Sequence, residues 1–275
     1  MAEFNISVSL GSPNPFVGTP ENDILRVQTP DDGISYTLDG ALGNDAIDAG
    51  NGNDRLLGNI GSDVLQGFQG NDTLFGMEGN DSLIPGDGND LIFGNEGNDT
   101  FFTTSGNDTV YGGKDNDSLI GGSNNIVFGN LGNDTIFIDV GSTLFGGQGN
   151  DSLEGISGNQ TLSGDKGQDT LRGGGGNDLF LIANIGAEDA DIITEFELGQ
   201  DRIALGGLSF QQLTISTSSR SEVDSIFGGG ASGAFSSNIL EVLKVEANGE
   251  LVAFVGGDQV DFIQQFEQPQ NFTII

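Results

Sequence analysis

A motif of nine residues recurs from Gly43 to about Asn184, and this short period limits the possible folds more than any other feature of the chain. A good copy runs from Gly70 to Gly76 and reads Gly-Asn-Asp-Thr-Leu-Phe-Gly. Thirteen units carry an aspartate at the same place: Asp45, Asp54, Asp63, Asp72, Asp81, Asp90, Asp99, Asp108, Asp117, Asp134, Asp151, Asp169 and Asp178. Such a fixed period is the signature of stacked repeats, each of which buries its apolar side chain against its neighbours.

An apolar residue follows two positions after each of these aspartates, as Ile47, Leu56 and Leu65 show. One inward side chain between two outward ones makes a minimal strand, and the glycine-rich remainder suits a tight turn. Two units then form one coil with a strand on each side. We therefore predict an all-β fold, a parallel β-roll whose core is too thin to provide a strong drive for folding by apolar burial alone.

The two ends of the chain differ from this central region. Residues 1–42 contain decayed repeats, such as Asn22 to Leu25, and are predicted to form an N-terminal cap on the roll of residues 43–184. Leu240 to Val245 and Leu251 to Val255 flank an Asn248-Gly249 turn and predict a hairpin. Residues 185–275 are therefore expected to form a C-terminal antiparallel β cap, in which Asp191 and Asp201 are candidates for extra metal ligands.

The composition excludes several classes of function. Asp and Glu number 41 against 8 Lys and Arg, which gives a net charge of −33 and argues against a nucleic-acid partner. Cys and His are absent, so neither thiol catalysis nor a histidine base is available. The natural partner of so many carboxylates is a hard cation that prefers oxygen ligands.

These repeats resemble the RTX, or haemolysin-type calcium-binding, family, whose nonapeptide reads Gly-Gly-x-Gly-x-Asp-x-apolar-x. The resemblance implies a right-handed parallel β-roll with Ca²⁺ held between loops of successive coils. It also implies that the ligands are aspartate carboxylates together with backbone carbonyls of the glycine-rich loops. On this basis the thirteen aspartates are candidate ligands, as are the leading glycines Gly40, Gly58, Gly76, Gly94, Gly112, Gly129, Gly146 and Gly164.

The residues themselves favour the same conclusion. Carboxylates stacked about 5 Å apart repel one another by about 1 kcal/mol per pair in water, and a divalent cation reverses this. We therefore expect the chain to fold when it binds Ca²⁺. The alternative is a ladder of Asn and Asp turns that needs no metal. The preference for Asn at the fifth position and Asp at the sixth favours the metal.

Alternate units lie on opposite sides of the predicted roll. The odd loops carry Asp45, Asp63, Asp81, Asp99, Asp117, Asp134, Asp151 and Asp169 without a break, which predicts about seven Ca²⁺ in the gaps. The even loops carry Asp54, Asp72, Asp90 and Asp108, with up to three gaps, and then fail at Asn125, Ser142 and Gln160 before Asp178. The loop that starts at Thr103 lacks its leading glycines. In total we expect about ten Ca²⁺.

A row of aromatic residues follows the core positions of the even units: Phe75, Phe93, Tyr111, Phe128 and Phe145. An exposed apolar row of this kind predicts a docking face for a second copy or another protein. Alternatively, the rings stabilise the sheet by stacking and bind nothing.

The termini bear on localisation. Residues 1–15 have no positively charged segment followed by an apolar run, so we expect no secretory signal of the usual kind. The chain ends Asn271-Phe272-Thr273-Ile274-Ile275, and the family resemblance implies an uncleaved C-terminal signal for type I secretion. A secreted, extracellular protein is therefore expected.

The function favoured by the sequence is that of a secreted calcium-binding repeat protein with a structural or interaction role and no enzymatic activity. The alternative is a module of a carbohydrate-active β-helix enzyme. A lyase needs a cationic group beside its base, whereas the few cations here are scattered along the chain. An ice-binding roll is disfavoured because the third loop position is irregular, with Leu42, Asn51 and Ile60 in succession.

Overall fold

A computed structural model describes residues 4–8, 15–27, 33–182, 189–197, 199–205, 213–218, 241–247, 250–257 and 272–274. All the regular structure in these segments is β-strand, which confirms the all-β prediction. No described segment forms a helix with the length and hydropathy needed to cross a bilayer. The Asn248-Gly249 turn, Asn271 and Ile275 lie outside the described residues. The chain divides into two units, residues 1–138 and residues 139–275.

The first unit consists of two parallel sheets between which successive strands alternate. Its strands are β1 Phe4–Val8, β2 Phe16–Val17, β3 Asp23–Val27, β4 Thr37–Asp39, β5 Ala46–Asn51, β6 Arg55–Ile60, β7 Val64–Gln69, β8 Thr73–Glu78, β9 Ser82–Asp87, β10 Leu91–Glu96, β11 Thr100–Thr103, β12 Thr109–Lys114, β13 Ser118–Gly121, β14 Ile126–Leu131 and β15 Thr135–Val140, which runs just past its end. Odd-numbered strands pair with odd and even with even, so the chain coils as predicted. The decayed copies belong to the same ladders, since Leu25 lies opposite Ile47.

The second unit continues this pattern and ends in antiparallel strands. Its strands are β16 Thr143–Gln148, β17 Ser152–Ser157, β18 Thr161–Lys166, β19 Thr170–Arg172, β20 Leu179–Ile182, β21 Asp191–Thr194, β22 Arg202–Leu205, β23 Leu213–Ser218, β24 Glu241–Ala247, β25 Glu250–Gly257 and β26 Phe272–Ile274. Strands β23, β24 and β25 pair antiparallel, and β25 joins β21 in parallel. The predicted hairpin and the C-terminal antiparallel strands are therefore confirmed.

In each repeat unit three positions are buried inside the roll. The apolar residue two positions after the aspartate is buried throughout, for example Leu56 and Leu74, which lie opposite each other in register. The aspartate itself is also inside, and so is the leading residue of the loop, which is usually glycine. Because glycine adds almost no apolar surface, the core consists mainly of one stacked apolar residue per unit, as the period predicted.

The turns stack so closely that one loop position accepts only glycine. Gly70 has a φ of 129°, which side-chain-bearing residues rarely adopt, and a Cβ added there would lie 1.5 Å from the carbonyl oxygen of Gly52. The same overlap occurs at Gly61, with the carbonyl of Gly43. Two positions before Gly70 and Gly79, the residues Phe68 and Met77 also have left-handed φ angles, of 78° and 84°. Such angles cost non-glycine residues about 1 kcal/mol or more.

We expect Gly70→Ala to lower the free energy of unfolding of the calcium-loaded protein by about 3 kcal/mol or more, since the added methyl group meets backbone that cannot move aside. Denaturant unfolding followed by circular dichroism measures this change. Met77→Gly is the matched control, because it places glycine at a left-handed position and removes no buried contact. An equal loss of stability in both variants would contradict the packing explanation.

Candidate metal centres in the stacked loops

The aspartates of successive loops are joined by hydrogen bonds from the backbone. The N–H group of Asp45 donates to Oδ1 of Asp63 at 2.7 Å, and the N–H of Asp63 donates to Oδ1 of Asp81 at 2.8 Å. The even loops repeat the pattern, with a 2.7 Å bond from the N–H of Asp54 to Oδ1 of Asp72. Each side chain therefore reaches toward the preceding loop, and this contact fixes the orientation of its carboxylate.

The second carboxylate oxygen, Oδ2, is the unusual atom of these loops. In thirteen aspartates Oδ2 is buried and accepts no hydrogen bond, although the residues make other contacts. These aspartates are Asp45, Asp54, Asp63, Asp72, Asp81, Asp90, Asp99, Asp108, Asp117, Asp134, Asp151, Asp169 and Asp178. These are the thirteen aspartates that the repeat identified. A buried charged oxygen without a donor costs at least about 1–3 kcal/mol, so each position calls for a cation or a proton.

The leading glycine of the odd loops leaves room beside this oxygen. A Cβ added to Gly58 would lie 2.4 Å from Oδ2 of Asp63 and 2.8 Å from the carbonyl oxygen of Gly76 in the next odd loop. The carboxylate oxygen and the carbonyl therefore face the same small space. The same arrangement, with the carbonyl of the next leading glycine, recurs at Gly40, Gly76, Gly94, Gly112 and Gly146.

The remaining two predicted glycines occupy equivalent places. Gly164 is buried beside Asp169, whose Oδ2 would lie 2.1 Å from an added Cβ. Gly129 is buried and lines one small interior space together with Gly112, Asp117 and Asp134. All eight predicted glycines are thus placed inside the loops, next to the carboxylates with which the sequence grouped them.

The donor set at these loops is made of hard oxygen atoms. Within the described residues no three acidic side chains come together, so carboxylate clusters of the usual kind are absent there. Instead, one aspartate oxygen and backbone carbonyls of adjacent loops face one another. Ca²⁺ accepts six to eight oxygen ligands and takes carbonyls as readily as carboxylates, so this donor set fits Ca²⁺.

Burial shifts the titration of these carboxyl groups upward. Burial raises the pKa of Asp63 and Asp81 from 3.8 to about 6, and it raises the pKa of Asp117 to about 8. Hydrogen bonds from the backbone N–H of the preceding loop oppose the effect, and neighbouring aspartates add to it at Asp63 and Asp117. A raised pKa means that the folded loops, without an ion, disfavour the charged carboxylate.

Comparison with known families gives the same assignment. A profile of the RTX calcium-binding nonapeptide repeat, in its four-copy form, matches residues 37–65, 66–101, 93–125, 102–136, 142–159 and 154–181, just over half of the chain. The chain belongs to the RTX calcium-binding repeat family. Among curated proteins none matches it. As an RTX roll it is a calcium-binding repeat protein, and its aspartate loops are the part of the fold that the family profile recognises.

A second ladder in the RTX loops was not foreseen from the sequence. An Asn precedes eleven of the thirteen aspartates. Its side chain accepts a hydrogen bond from the backbone of the following loop, as Oδ1 of Asn53 does from the N–H of Asn71 at 2.8 Å. The bonds from Asn89 to Asn71 and from Asn98 to Asn80 are equivalent. Asn thus points to the following loop and Asp to the preceding one. The recurring order Asn-Asp was the signal, with Ser62 and Gln168 as the exceptions.

The RTX columns end in carboxylates that the protein itself satisfies. Asp23, one rung before Asp45, accepts hydrogen bonds from the N–H and the hydroxyl of Thr19. Asp201 continues the even loops beyond Asp178 and accepts a 2.7 Å bond from the N–H of Glu197 on Oδ2. Asp191 follows Asp169 in the odd loops. The two candidates from the C-terminal region therefore occupy the next rungs of the stack.

The aromatic row on the even strands forms a continuous stack in the first unit. The rings of Phe75, Phe93, Tyr111 and Phe128 lie 5.0 to 5.1 Å apart in succession with their planes 6° from parallel. The guanidinium of Arg55 lies 4.6 Å from the centre of the Phe75 ring. All four rings are half-buried, as is Phe145 in the second unit. Stacking accounts for these residues within the sheet, and docking through them stays a prediction.

The shifted carboxyls predict how pH acts on the calcium-free protein. The pKa of Asp63 is raised to about 6 and that of Asp117 to about 8, whereas the ordinary value is 3.8. The folded roll therefore holds more protons than the unfolded chain across this window, and its stability falls as the pH rises through it. In excess chelator we expect more β-structure by circular dichroism at about pH 5 than at about pH 8.

Excess Ca²⁺ provides the control, because the ion competes with protons for the same oxygens. With Ca²⁺ present the order should reverse, so that the folded form is more stable at about pH 8 than at about pH 5. A chelated protein equally folded at both pH values would contradict the assignment of the shifts to these loops.

Proposed function

We propose that this chain is a secreted calcium-binding protein that folds when it meets Ca²⁺ outside the cell and then serves a structural or interaction role. The observation that carries the proposal is the repeated Oδ2 atom, buried without a hydrogen-bond donor beside a backbone carbonyl. Membership of the RTX family supports calcium as the ion.

The ion binding would decide whether the roll forms. The column of buried carboxylates carries like charges a few ångströms apart, in a chain whose net charge is −33. Apolar burial is limited because each unit contributes mainly one core residue. Ca²⁺ supplies the positive charge that turns repulsion between loops into attraction, so its binding free energy becomes part of the folding free energy.

The residues that would hold the ions follow from the geometry. We assign Oδ2 of the odd-loop aspartates as ligands, together with carbonyls of the leading glycines, such as those of Gly58 and Gly76. The aspartate carboxylates are already oriented by the backbone bonds to Oδ1, so a bound ion requires little further ordering of the side chains. We also assign the even-loop aspartates as candidates.

Export is supported by the chemistry of the site. Loops of this kind match extracellular modules, whose dissociation constants lie at about 10⁻⁴–10⁻³ M, and cytosolic Ca²⁺ is far below that range. The chain would therefore remain unfolded during export and fold afterwards. We propose type I secretion, the route implied by the resemblance of the repeats, as the means of export.

A non-catalytic role is favoured over a carbohydrate-active one. In the described loops the polar side chains are used to join one coil to the next, and the described cations lie apart from the carboxylate columns. Arg26 pairs with Asp48, Lys114 with Glu96, and Arg172 with Glu154 and Glu195 on outer surfaces. No specific observation among the described residues favours the enzyme alternative.

Titration with Ca²⁺ tests the coupling of binding to folding. We expect a coil-like circular dichroism spectrum in chelator and a β-sheet spectrum at millimolar Ca²⁺, because the ion removes the repulsion that opposes stacking. Mg²⁺ is the control, since it requires rigid octahedral geometry and sheds water reluctantly, and should have little effect. A chelated protein as ordered as the calcium-loaded one would overturn the proposal.

Substitution of one column aspartate tests the ligand assignment. We expect Asp81→Asn to bind at least one Ca²⁺ fewer, and to raise the Ca²⁺ concentration needed for folding, because the amide places a donor where the ion needs an oxygen. In chelator the same change should stabilise the protein by about 1 kcal/mol, because it removes a buried charge.

Asp87→Asn is the matched control for this variant. It makes the same change of charge on an exposed side chain of the same strand region, outside the column. Bound ions are counted by equilibrium dialysis. If both variants bind as many ions as the original chain, the column aspartates are not the ligands.

A further inference from the structure

We infer that the odd loops hold the calcium ions, whereas the even loops at Thr103 and at Gln160 use the chain's own hydrogen bonds at the place of an ion. This inference rests on the proposed function and adds which side of the roll responds to the metal. It is carried by three observations: the leading residue of each loop, a hydrogen-bond network at Thr103, and the amide of Gln160.

The leading residue of the loop differs between the two sides. In the odd loops it is always glycine, and the space beside it is shared by Oδ2 and a carbonyl. In three even loops the leading residue is Ala49, Pro85 or Thr103. Each of these residues has a Cβ. In the odd loops, a Cβ added at the same position would approach both oxygens. Real Cβ atoms do not approach other atoms to the 2.2–2.4 Å found at Gly58 and Gly94. These even loops therefore cannot hold the two oxygens in the odd-loop arrangement.

Backbone conformation does not require glycine at this place. None of the leading glycines Gly40, Gly58, Gly76 or Gly94 has a left-handed φ, whereas the glycine three positions later in each loop does. Alanine can adopt the backbone of the leading position, so its exclusion from every odd loop concerns the space beside the carboxylate. The leading residue of the odd loops is therefore glycine because an ion must approach the carboxylate oxygen and the carbonyl oxygen beside it.

At Thr103 a side chain of the protein bonds the carbonyl oxygen that an ion would otherwise use. The Thr103 hydroxyl donates to the carbonyl oxygen of Gly121 at 3.0 Å, and Gly121 is the leading residue of the next even loop. The amide Nδ2 of Asn125 donates to the Thr103 hydroxyl at 3.1 Å, while Oδ1 of Asn125 accepts the N–H of Asp108 at 2.9 Å. The carbonyl that would face an ion is therefore already hydrogen-bonded.

In the second unit, Gln160 likewise provides hydrogen bonds at the place of an ion. Its Oε1 accepts the N–H of Ser142 at 2.6 Å, which reproduces the bond that an aspartate Oδ1 makes elsewhere. Its Nε2 donates to the carbonyl of Ser157 at 2.8 Å. The side-chain amide of Gln160 thus keeps the oxygen that accepts the bond from the preceding loop, and it has an N–H donor in place of the second carboxylate oxygen. At this position there is no buried carboxylate oxygen for a cation to bind.

One even loop retains the odd-loop arrangement. A Cβ added to Gly67 would lie 2.3 Å from Oδ2 of Asp72 and 2.4 Å from the carbonyl oxygen of Pro85. The three even-side gaps expected from the sequence therefore reduce to this one complete site among the described even loops of the first unit. Most of the calcium ions are therefore expected in the odd loops.

The test compares the number of Ca²⁺ ions bound by variants of the full chain, measured by equilibrium dialysis with circular dichroism as a check on folding. We expect Gly58→Ala to lose one ion, because its methyl group meets Oδ2 of Asp63 and the carbonyl of Gly76. The matched control is Gly155→Ala, at the same loop position but beside Gln160, which should lower stability and keep the ion count.

A gain of binding gives the complementary result. We expect Thr103→Gly combined with Asn125→Asp to bind one ion more than the original chain, since it opens the space and restores a carboxylate. This variant decides the matter if Gly58→Ala does not fold. The inference is overturned if the original chain binds Ca²⁺ but the gain variant folds and binds no additional ion, or if Gly58→Ala folds and keeps the original count. If the original chain binds no Ca²⁺ at all, the proposed function itself fails.

Discussion

A carboxylate oxygen enclosed without a donor is the interaction on which this structure depends. Each column aspartate uses one oxygen to join the preceding loop, and that bond fixes the other oxygen inside the stack. The fold therefore creates the electrostatic cost that a divalent ion relieves. Because the cost recurs along the stack while apolar burial per coil is small, we propose that the balance between folded and unfolded chain depends on what occupies these positions.

The close stacking of the turns follows from the need to bring a carboxylate oxygen and a carbonyl oxygen together. Adjacent loops must approach until a carboxylate of one and a carbonyl of the next face a common space, and this distance leaves no room for side chains at the glycine positions. The residues with left-handed φ angles, such as Phe68 and Met77, are a local cost of that approach. Rigid turns, a thin core and an acidic interior are thus three aspects of one geometry.

Much of this could be predicted from the sequence because a nine-residue period determines which residues share a position. The buried apolar positions, the thirteen aspartates and the parallel coils all follow from it. The C-terminal hairpin follows from two apolar runs that flank an Asn-Gly turn. The hydrogen bonds of Asn53 and Thr103 did not follow, since direction across the stack depends on side-chain rotamers that a pattern does not contain. The steric role of Ala49 and Pro85 also required three-dimensional distances.

The opposite directions of the Asn and Asp ladders have a consequence for how such a chain changes in length. From Asp54 to Asp108 neighbouring even loops are bonded in the same two ways: the Asn of one loop accepts an N–H of the next, and the aspartate of the next accepts an N–H of the first. Duplication or deletion of eighteen residues within this stretch would leave the same two connections at each remaining junction. Evolution can therefore lengthen or shorten the molecule by whole coils without redesigning either terminus, in the manner of other one-dimensional repeat arrays.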